Sequence, residues 1–349
     1  MKKHDQVSVA TEEITLWNDK QVPRIGIGTW VMGGMQYSGG KPIGWGEVDD
    51  NTSVRTLHTA FDMGVRIIDT SVSYGAGHAE DVIARAIRES SLDSDDVVIC
   101  TKAGTLCDPE SGDIMGPTDR KRDILDAIDA SLHRLRTDYL DLVKFHVNRY
   151  PVDRSEEVFE ALSEAYAAGK IAAFGWSNDD LQGAMAFADL EGFEAVQHDL
   201  NLFSTADHLL RAIEERGLWS FNRQPLAMGL LSGKYHGKSL SIQAGDMRSS
   251  GLDWMRYFDK DGAPTKDLVE AVEKVRALLT DDGRTVAQGA LGWCLAQSDR
   301  TIPLPGCRTP EQAMDNFGVL ALEPLETETE TETVNAVNDF LAGLQRPVT

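Results

Sequence analysis

One pattern recurs along most of the chain: a short apolar run, a loop, and then an amphipathic segment. We predict eight strands from the apolar runs. They are Arg24–Gly28, Val65–Ile68, Val97–Thr101, Leu140–Phe145, Ala172–Gly175, Ala195–Gln197, Leu218–Phe221 and Thr301–Leu304. Uninterrupted alternation of strand and helix gives either a doubly wound sheet or a closed barrel. Because no Gly-x-Gly-x-x-Gly follows the first strand, we predict a (β/α)8 TIM barrel.

Amphipathic segments, several opened by a capping Asp, Ser or Thr, fill the intervals between the strands. The predicted helices are Thr52–Met63, Ala79–Ser90, Asp119–Leu135, Ser155–Ala168, Asp180–Leu190, Ala206–Arg216 and Ala287–Gln297. A chain of 349 residues, 42% of them hydrophobic, can bury one large core or two ordinary ones. The continuous pattern favours a single barrel domain over residues 1–349, with peripheral tails at 1–12 and 325–349.

Three segments lie outside the eight units. Glu13–Gly26 reads as a β-hairpin that caps the barrel floor. The glycine-rich segment Gly233–Ala263 is expected to be a long, mobile loop on the active face. We assign no function to the alternating Glu-Thr repeat at 326–333.

The net charge of −22 disfavours nucleic-acid and anionic-membrane partners, so any anionic ligand needs locally concentrated cations. No apolar run is long enough to span a membrane, and the start lacks the apolar core of a secretion signal. We therefore expect a cytoplasmic protein. The four cysteines lack metal-ligand spacing and should be reduced thiols, and no metal site is predicted. A homo-oligomer remains an open alternative.

Reactive residues end consecutive predicted strands. Asp69, Lys102 and His146 each follow an apolar run, and Tyr74 lies in the glycine-flanked loop after Asp69. Barrels carry their chemistry at the carboxyl ends of strands, so we expect these side chains to meet. A lysine can favour the phenolate of a tyrosine, an aspartate can be its counter-ion, and a histidine can bind a carbonyl oxygen. The set indicates polarisation and protonation of a carbonyl group.

Each residue taken alone also has a purely structural explanation. Asp69 could bond loop amides, and Tyr74 could anchor its loop. Lys102 could extend its amine to solvent, and His146 could be a hydrogen-bonded core residue. The catalytic interpretation depends on the four occurring together.

Motifs over about residues 13 to 320 resemble the aldo-keto reductases, in that family's order. They are Ile68-Asp69-Thr70, Tyr74-Gly75 with Glu80, Thr101-Lys102, Asp138-Tyr139-Leu140-Asp141-Leu142 leading to His146, Gly169-Lys170-Ile171, and Gly175-Trp176-Ser177-Asn178. The resemblance implies a (β/α)8 barrel that binds NADPH/NADP+ without a Rossmann motif and transfers hydride to a carbonyl. It also implies that Tyr74 is the general acid and base, tuned by Lys102 and Asp69. His146 would then orient the substrate.

The same resemblance assigns residues to the cofactor. Ser177, Asn178 and Gln197 resemble the residues that bind the nicotinamide carboxamide. The other assigned residues are Gly28, Thr29, Trp30, Asp69, Arg223, Pro225, Leu226, Gly229, Lys234, Gly306, Arg308, Gln312 and Asn316. Arg308 precedes a predicted helix start and is the candidate for the 2′-phosphate, which favours NADPH over NADH.

The chain departs from the family pattern at two places. Many relatives carry an aromatic residue where Arg223 stands. A guanidinium can stack on nicotinamide but should disfavour its cationic, oxidised form. After His146 the familiar acidic residue is missing, and Arg149 could reach the pocket rim or remain a solvated loop residue.

The leading hypothesis is an NADPH-dependent reductase of small aldehydes or ketones. A second hypothesis is a redox-sensing regulatory subunit that binds NADP(H) and turns over little. A third, a barrel lyase or isomerase without nicotinamide, lacks a supporting metal or Schiff-base cluster. Trp30, Trp45 and Trp254 are candidate pocket walls, and the sequence does not specify the natural substrate.

Overall fold

A computed structural model describes residues 13–235, 242–252, 254–325 and isolated positions between 329 and 339. The tail predicted at 1–12 and most of the tail predicted at 325–349 lie outside the described residues. The same holds for parts of the predicted 233–263 loop and of the Glu-Thr repeat.

Fourteen strands occur in the described part of the chain. They are β1 (Glu13–Thr15), β2 (Gln21–Pro23), β3 (Gly26–Gly28), β4 (Tyr37–Ser38), β5 (Lys41–Pro42), β6 (Ile67–Asp69), β7 (Val98–Ala103), β8 (Thr105–Cys107), β9 (Ile114–Pro117), β10 (Leu142–Phe145), β11 (Phe174–Ser177), β12 (Phe193–Asp199), β13 (Trp219–Arg223) and β14 (Thr301–Pro303). Eight form one parallel sheet in the order β3-β6-β7-β10-β11-β12-β13-β14. The Gly28 amide donates to the Pro305 carbonyl at 3.0 Å, which brings the two edges together and closes the barrel. The predicted barrel is confirmed, and each predicted strand overlaps an observed one.

Nine α-helices occur within the described residues. They are α1 (Asp50–Asp62), α2 (His78–Glu89), α3 (Lys121–Leu135), α4 (Glu156–Ala167), α5 (Leu181–Met185), α6 (Asp207–Glu215), α7 (Lys266–Leu279), α8 (Val286–Ala296) and α9 (Pro310–Phe317). The prediction of a helix through Leu190 was wrong, since α5 ends at Met185. Beyond it the backbone bonds span three residues, as from the Ala188 amide to the Met185 carbonyl, so the chain forms turns that place Phe187 on Phe159.

The barrel interior has an apolar lower part and a polar upper part. Alternate residues of a strand share a face, and the inward apolar residues form one buried cluster. Its strand members include Ile67, Val98, Cys100, Leu142, Ala195, Trp219 and Phe221. Two residues further along the same strands lie Asp69, Lys102, Lys144, Gln197 and Arg223. The inward face therefore becomes polar at the carboxyl ends of the strands.

The N-terminal hairpin closes the floor, as predicted. Leu16 and Val22 pack into the interior cluster. The Trp17 indole donates to the Asp141 carbonyl at 3.0 Å, and Lys20 forms an ion pair with the Asp141 carboxylate at 2.7 Å. These contacts tie the hairpin to the amino-terminal end of β10.

Loops after the strands build a second layer on the opposite face. Strands β5, β4, β9 and β8 form a four-stranded sheet that the sequence analysis did not predict. The segment 242–252 packs against this layer. The backbone amide of Met247 donates to the Gly44 carbonyl at 2.8 Å, and Asp246 forms an isolated antiparallel β-bridge with Trp45. The described part of the predicted loop is thus packed, and its mobility stays a prediction.

Candidate active site

Asp69, Tyr74 and Lys102 are in direct contact at the carboxyl end of the barrel. Lys102 Nζ lies 2.6 Å from Asp69 Oδ2, 2.6 Å from the Thr70 carbonyl and 3.1 Å from the Tyr74 hydroxyl. The Lys102 side chain is 2% exposed, which excludes the solvent-exposed alternative. The ring of His146 packs edge-on against Tyr74, with centroids 5.8 Å apart. The structure therefore brings the four predicted residues together.

The loop carrying Tyr74 is fixed on both sides. Backbone bonds from Thr70 to Cys100 and from Val72 to Lys102 join it to β7. Gly75 has a φ of +62°, and a Cβ there would lie 2.0 Å from the Gly33 carbonyl oxygen. Only glycine fits this close approach, and the consequence is a fixed position for the tyrosine ring.

Lys144 is a buried charged residue that the sequence analysis missed. Its Nζ lies 2.5 Å from Asp69 Oδ1, so the aspartate is held between two lysines. The signal was present in the sequence, because a lysine within an apolar strand and two residues before His146 shares the inward face.

The electrostatics of this cluster are dominated by burial. Desolvation raises the pKa of Tyr74, Asp69 raises it further, and Lys144 and Arg223 act to lower it. The pKa of Asp69 is lowered because its two lysines outweigh its burial. The pKa of Lys102 is lowered by burial. At neutral pH, Tyr74 is therefore a phenol that can donate a proton.

His146 is held as a neutral imidazole. Burial and the neighbouring Lys102 lower its pKa well below the usual value. Its Nδ1 lies 3.0 Å from the Ser71 hydroxyl and 3.3 Å from the Ser73 hydroxyl. These serines fix the ring, and the second nitrogen remains to serve a ligand.

Two buried amides lie at the next strand ends without partners among the described residues. They are the Asn178 Nδ2 donor and the Gln197 Oε1 acceptor. A primary carboxamide offers one acceptor and two donors and so complements this pair. Ser177 adjoins them, and the backbone amide of Asn178 donates to the backbone carbonyl of Gln197 at 2.9 Å. Ser177, Asn178 and Gln197 therefore fit a nicotinamide carboxamide.

Arg223 is fixed by two carboxylates. Its guanidinium forms ion pairs with Asp199 at 2.8 Å and with Asp179, and it donates to the Ser177 hydroxyl at 3.1 Å. Arg256 pairs with Asp199 at 2.8 Å. The two arginines and two aspartates balance in charge, which moderates the expected repulsion between Arg223 and an oxidised nicotinamide.

A cluster of three cations lies after the last two barrel strands. Burial, followed by repulsion from Arg248 and Arg308, lowers the pKa of Lys234 to about 8. Arg248 is paired with Asp246 at 2.6 Å. The three cations and one carboxylate leave a surplus of positive charge in a chain whose net charge is −22. Loops after strands seven and eight are the usual phosphate site of barrels.

Arg308 also ties two loops together. It donates to the Trp45 carbonyl at 2.8 Å and to the Glu47 carbonyl at 3.0 Å.

Arg248 was not predicted, because no motif connects its loop to the end of β13. Pro225, Leu226 and Gly229 lie between that strand and Lys234.

The remaining predicted residues lie along the same rim. Thr29 donates from its amide and its hydroxyl to the Asp69 carbonyl, and Gly28 faces Gly306 across the barrel closure. Gln312 accepts from the Arg308 amide at the start of α9. Asn316 is buried and donates to Cys307 Sγ at 3.2 Å. Gln312 and Asn316 thus have partners within the protein, and their cofactor contacts stay predictions.

Three tryptophans lie beside the tetrad of Asp69, Tyr74, Lys102 and His146. Trp30 stacks on Tyr74 with centroids 6.0 Å apart and contacts Trp45 at 5.6 Å and Trp254 at 6.4 Å. Trp254 is 44% exposed, which gives the group an open side. The arrangement agrees with the prediction of an aromatic pocket wall. Arg149 lies on an exposed turn with a φ of +55°, and its backbone amide donates to Asn178 Oδ1 at 3.2 Å.

Two features are absent from the described part of the chain. No group of three or more His, Cys, Asp or Glu side chains is arranged to hold a metal ion. No described helix is long and apolar enough to cross a membrane. All four cysteines are free thiols.

A parallel barrel that places a tyrosine hydroxyl against a buried Lys-Asp pair, with unpartnered amide groups and a cation cluster nearby, has the features of a nicotinamide-dependent carbonyl oxidoreductase. The sequence model of the Aldo/keto reductase family matches residues 24–339. The aldo-keto reductase YhdN of Bacillus subtilis (strain 168) is 30% identical over 294 residues, which cover 84% of this chain and 83% of the relative. The chain therefore belongs to the aldo/keto reductase family, and the resemblance of its motifs is confirmed.

Solved structures agree with this assignment. The glycerol dehydrogenase AKR11B4 from Gluconobacter oxydans matches with a TM-score of 0.75 and 26% identity, over 98% of each chain. An aldo-keto reductase from Klebsiella pneumoniae in complex with NADPH matches with a TM-score of 0.64 and 25% identity. That match covers 93% of this chain and 94% of the other.

Proposed function

We propose that this enzyme reduces a small aldehyde or ketone to the alcohol with NADPH, and that Tyr74 donates the proton. The observation that carries the proposal is the 3.1 Å contact between Lys102 Nζ and the Tyr74 hydroxyl. The same lysine forms a buried ion pair with Asp69. Lysine beside the phenol stabilises the phenolate that remains after proton transfer. Bound NADPH supplies the hydride.

The other residues bind and orient. Ser177, Asn178 and Gln197 hold the nicotinamide carboxamide, whose polarity their two unpartnered groups match. Lys234 and Arg308, with Arg248, offset the phosphate charges. The surplus charge of this cluster favours NADPH, which carries one phosphate more than NADH. His146 hydrogen-bonds the substrate oxygen and directs it toward Tyr74.

The thiols bear on the location of the protein, and the aromatic residues bear on its substrate class. Four free thiols favour a reducing compartment such as the cytoplasm. The aromatic wall of Trp30, Trp45 and Trp254 favours a small carbonyl compound with an apolar part.

Turnover and binding, measured separately, test this function. NADPH oxidation by the purified protein is followed against a panel of aldehydes and ketones, with NADH in parallel, and cofactor binding is followed by fluorescence. We expect binding with turnover on part of the panel and a preference for NADPH. Tight binding without turnover would support the regulatory subunit, and absence of binding would contradict both.

A further inference from the structure

Lys144 is a completely buried lysine outside the predicted tetrad. It is 0% exposed, and its Nζ is 2.5 Å from Asp69 Oδ1, while Lys102 Nζ is 2.6 Å from Asp69 Oδ2. It also lies 4.7 Å above the ring of Phe221. One carboxylate thus faces two ammonium groups in the barrel interior.

The second lysine is electrostatically expensive. Burying a charge costs several kcal/mol unless partners compensate it, and Asp69 already has Lys102 as a partner. The nearby thiol of Cys100 cannot balance the extra charge, because burial raises its pKa to about 12. The three groups Asp69, Lys102 and Lys144 therefore carry a surplus positive charge.

That surplus acts on the phenol of Tyr74. With one lysine, the pair with Asp69 is neutral and the carboxylate opposes formation of the phenolate. With two lysines, the field of the carboxylate is offset and Lys102 remains free to donate to the phenolate. The titratable and charged groups that face Tyr74 are Asp69 from β6, Lys102 from β7, Lys144 and His146 from β10 and its end, and Arg223 from β13.

We propose that Lys144 is a positioning residue that shifts the protonation of Tyr74 toward the phenolate through Asp69, and so extends alcohol oxidation to lower pH. The inference rests on the proposed function, because it assigns the proton transfer to Tyr74. Oxidation needs the phenolate, which accepts the alcohol proton while hydride leaves the carbinol carbon for NADP+. Reduction needs the phenol. Loss of Lys144 must therefore move both pH limits upward.

Lys144→Met removes the charge and keeps an unbranched side chain that is one atom shorter. We expect the acidic limb of the kcat profile for alcohol oxidation to rise by about one pH unit. The basic limb for carbonyl reduction should rise in the same direction. In the cofactor-free protein, the phenolate absorbance that Tyr74→Phe removes should also titrate at higher pH in the variant.

Lys20→Met is the matched control, since Lys20 pairs with Asp141 at the opposite end of the barrel. It should lower stability and leave the pH profile unchanged. Lys144→Gln, a neutral residue that can still donate to Asp69, is the second variant if Lys144→Met fails to fold, and it must shift the same limbs upward.

Unchanged limbs in a folded Lys144 variant would overturn the inference. Failure of the proposed function gives a different result, because turnover would then survive in Tyr74→Phe. If Tyr74→Phe abolishes turnover and the Lys144 variants do not move the profile, only the role of Lys144 is wrong.

Discussion

His146 has two ring nitrogens, and the bonds of one determine what the other offers. Ser71 Oγ accepts from the Ser73 amide at 3.2 Å, which leaves its own proton free for His146 Nδ1 at 3.0 Å. In that arrangement Nε2 carries the proton and donates to a substrate oxygen. The two serines therefore act through the tautomer of the histidine.

Replacing both serines with alanine should impair catalysis more than cofactor binding. The ring of His146 would lose the bonds that fix its tautomer, worth about 1 kcal/mol, so kcat should fall about fivefold. Steady-state kinetics with NADPH titrations measure both quantities. Ser90→Ala, in a helix cap far from the site, is the control. Unchanged kcat in the double variant would contradict this role of the serines.

The sequence predicted these four residues together because Asp69, Lys102 and His146 end consecutive strands and Tyr74 lies in the loop after Asp69. Parallel strands bring such ends together. Lys144 was missed although periodicity places it on the inward face, because it lies inside an apolar strand and not at the strand end. Arg248 could not be predicted, since it reaches the phosphate cluster through a long loop whose path depends on tertiary packing.

At the level of strands and loops, Gly175 shows how tightly the barrel is built. A Cβ at Gly175 would lie 1.9 Å from the Ala195 carbonyl oxygen on β12. That strand carries Gln197, and β11 carries Ser177. The spacing of the two strands therefore controls the carboxamide site.

Gly175→Ala should force these strands apart. We expect a loss of about 2–4 kcal/mol in the free energy of unfolding and weaker NADPH binding. Denaturant unfolding and fluorescence titration give the two values. Gly292→Ala, in helix α8, where a Cβ would meet no atom closer than 3.5 Å, serves as the comparison for stability. Equal stability and affinity in Gly175→Ala and the wild type would show that the backbone contact is relieved cheaply.

Arg308 connects the start of α9 with the loop of Trp45 and Glu47, beside Lys234 and Arg248. Arg308→Ala should raise the KM for NADPH about tenfold or more and leave the KM for NADH nearly unchanged, because one charge-assisted phosphate contact is lost. Arg122→Ala, on an exposed helix face, should change neither value. An equal rise in the KM for both cofactors would show that Arg308 does not bind the 2′-phosphate.

Loop-built elements were the least predictable part of the fold. The apolar runs predicted eight strands, and capping residues predicted most helices. The sheet of β4, β5, β8 and β9 consists of two short hairpins joined by the β4–β9 pairing. Its strands have only two to four residues, which is too short for a periodic pattern to predict them. The end of α5 depends on how Phe187 packs on Phe159, which the sequence alone does not specify.

The molecule as a whole carries a net charge of −22, while Lys234, Arg248 and Arg308 concentrate positive charge after the last two barrel strands. Repulsion among surface carboxylates opposes the compact state, and salt screens it within a Debye length of about 8 Å at 0.15 M. Within that distance, the local cations attract an anionic cofactor despite the negative net charge of the protein.

Raising the salt concentration from about 10 mM to about 0.15 M should therefore raise the melting temperature. The same change should weaken NADPH binding, because the phosphate contacts are screened too. Calorimetry and fluorescence titration across the series test these opposite signs. A melting temperature that falls with salt would mean that surface ion pairs outweigh the net repulsion.

The proposed reaction depends on proton transfer from Tyr74, so Tyr74→Phe is its sharpest test. Single-turnover NADPH oxidation and NADPH binding are both measured on the same variant. Tyr139→Phe, at the barrel floor, is the matched control. We expect the rate to fall by about 10²–10⁴ in Tyr74→Phe, with binding retained, and both to be unchanged in Tyr139→Phe. A Tyr74→Phe enzyme that reduces carbonyls at the wild-type rate would contradict the assignment.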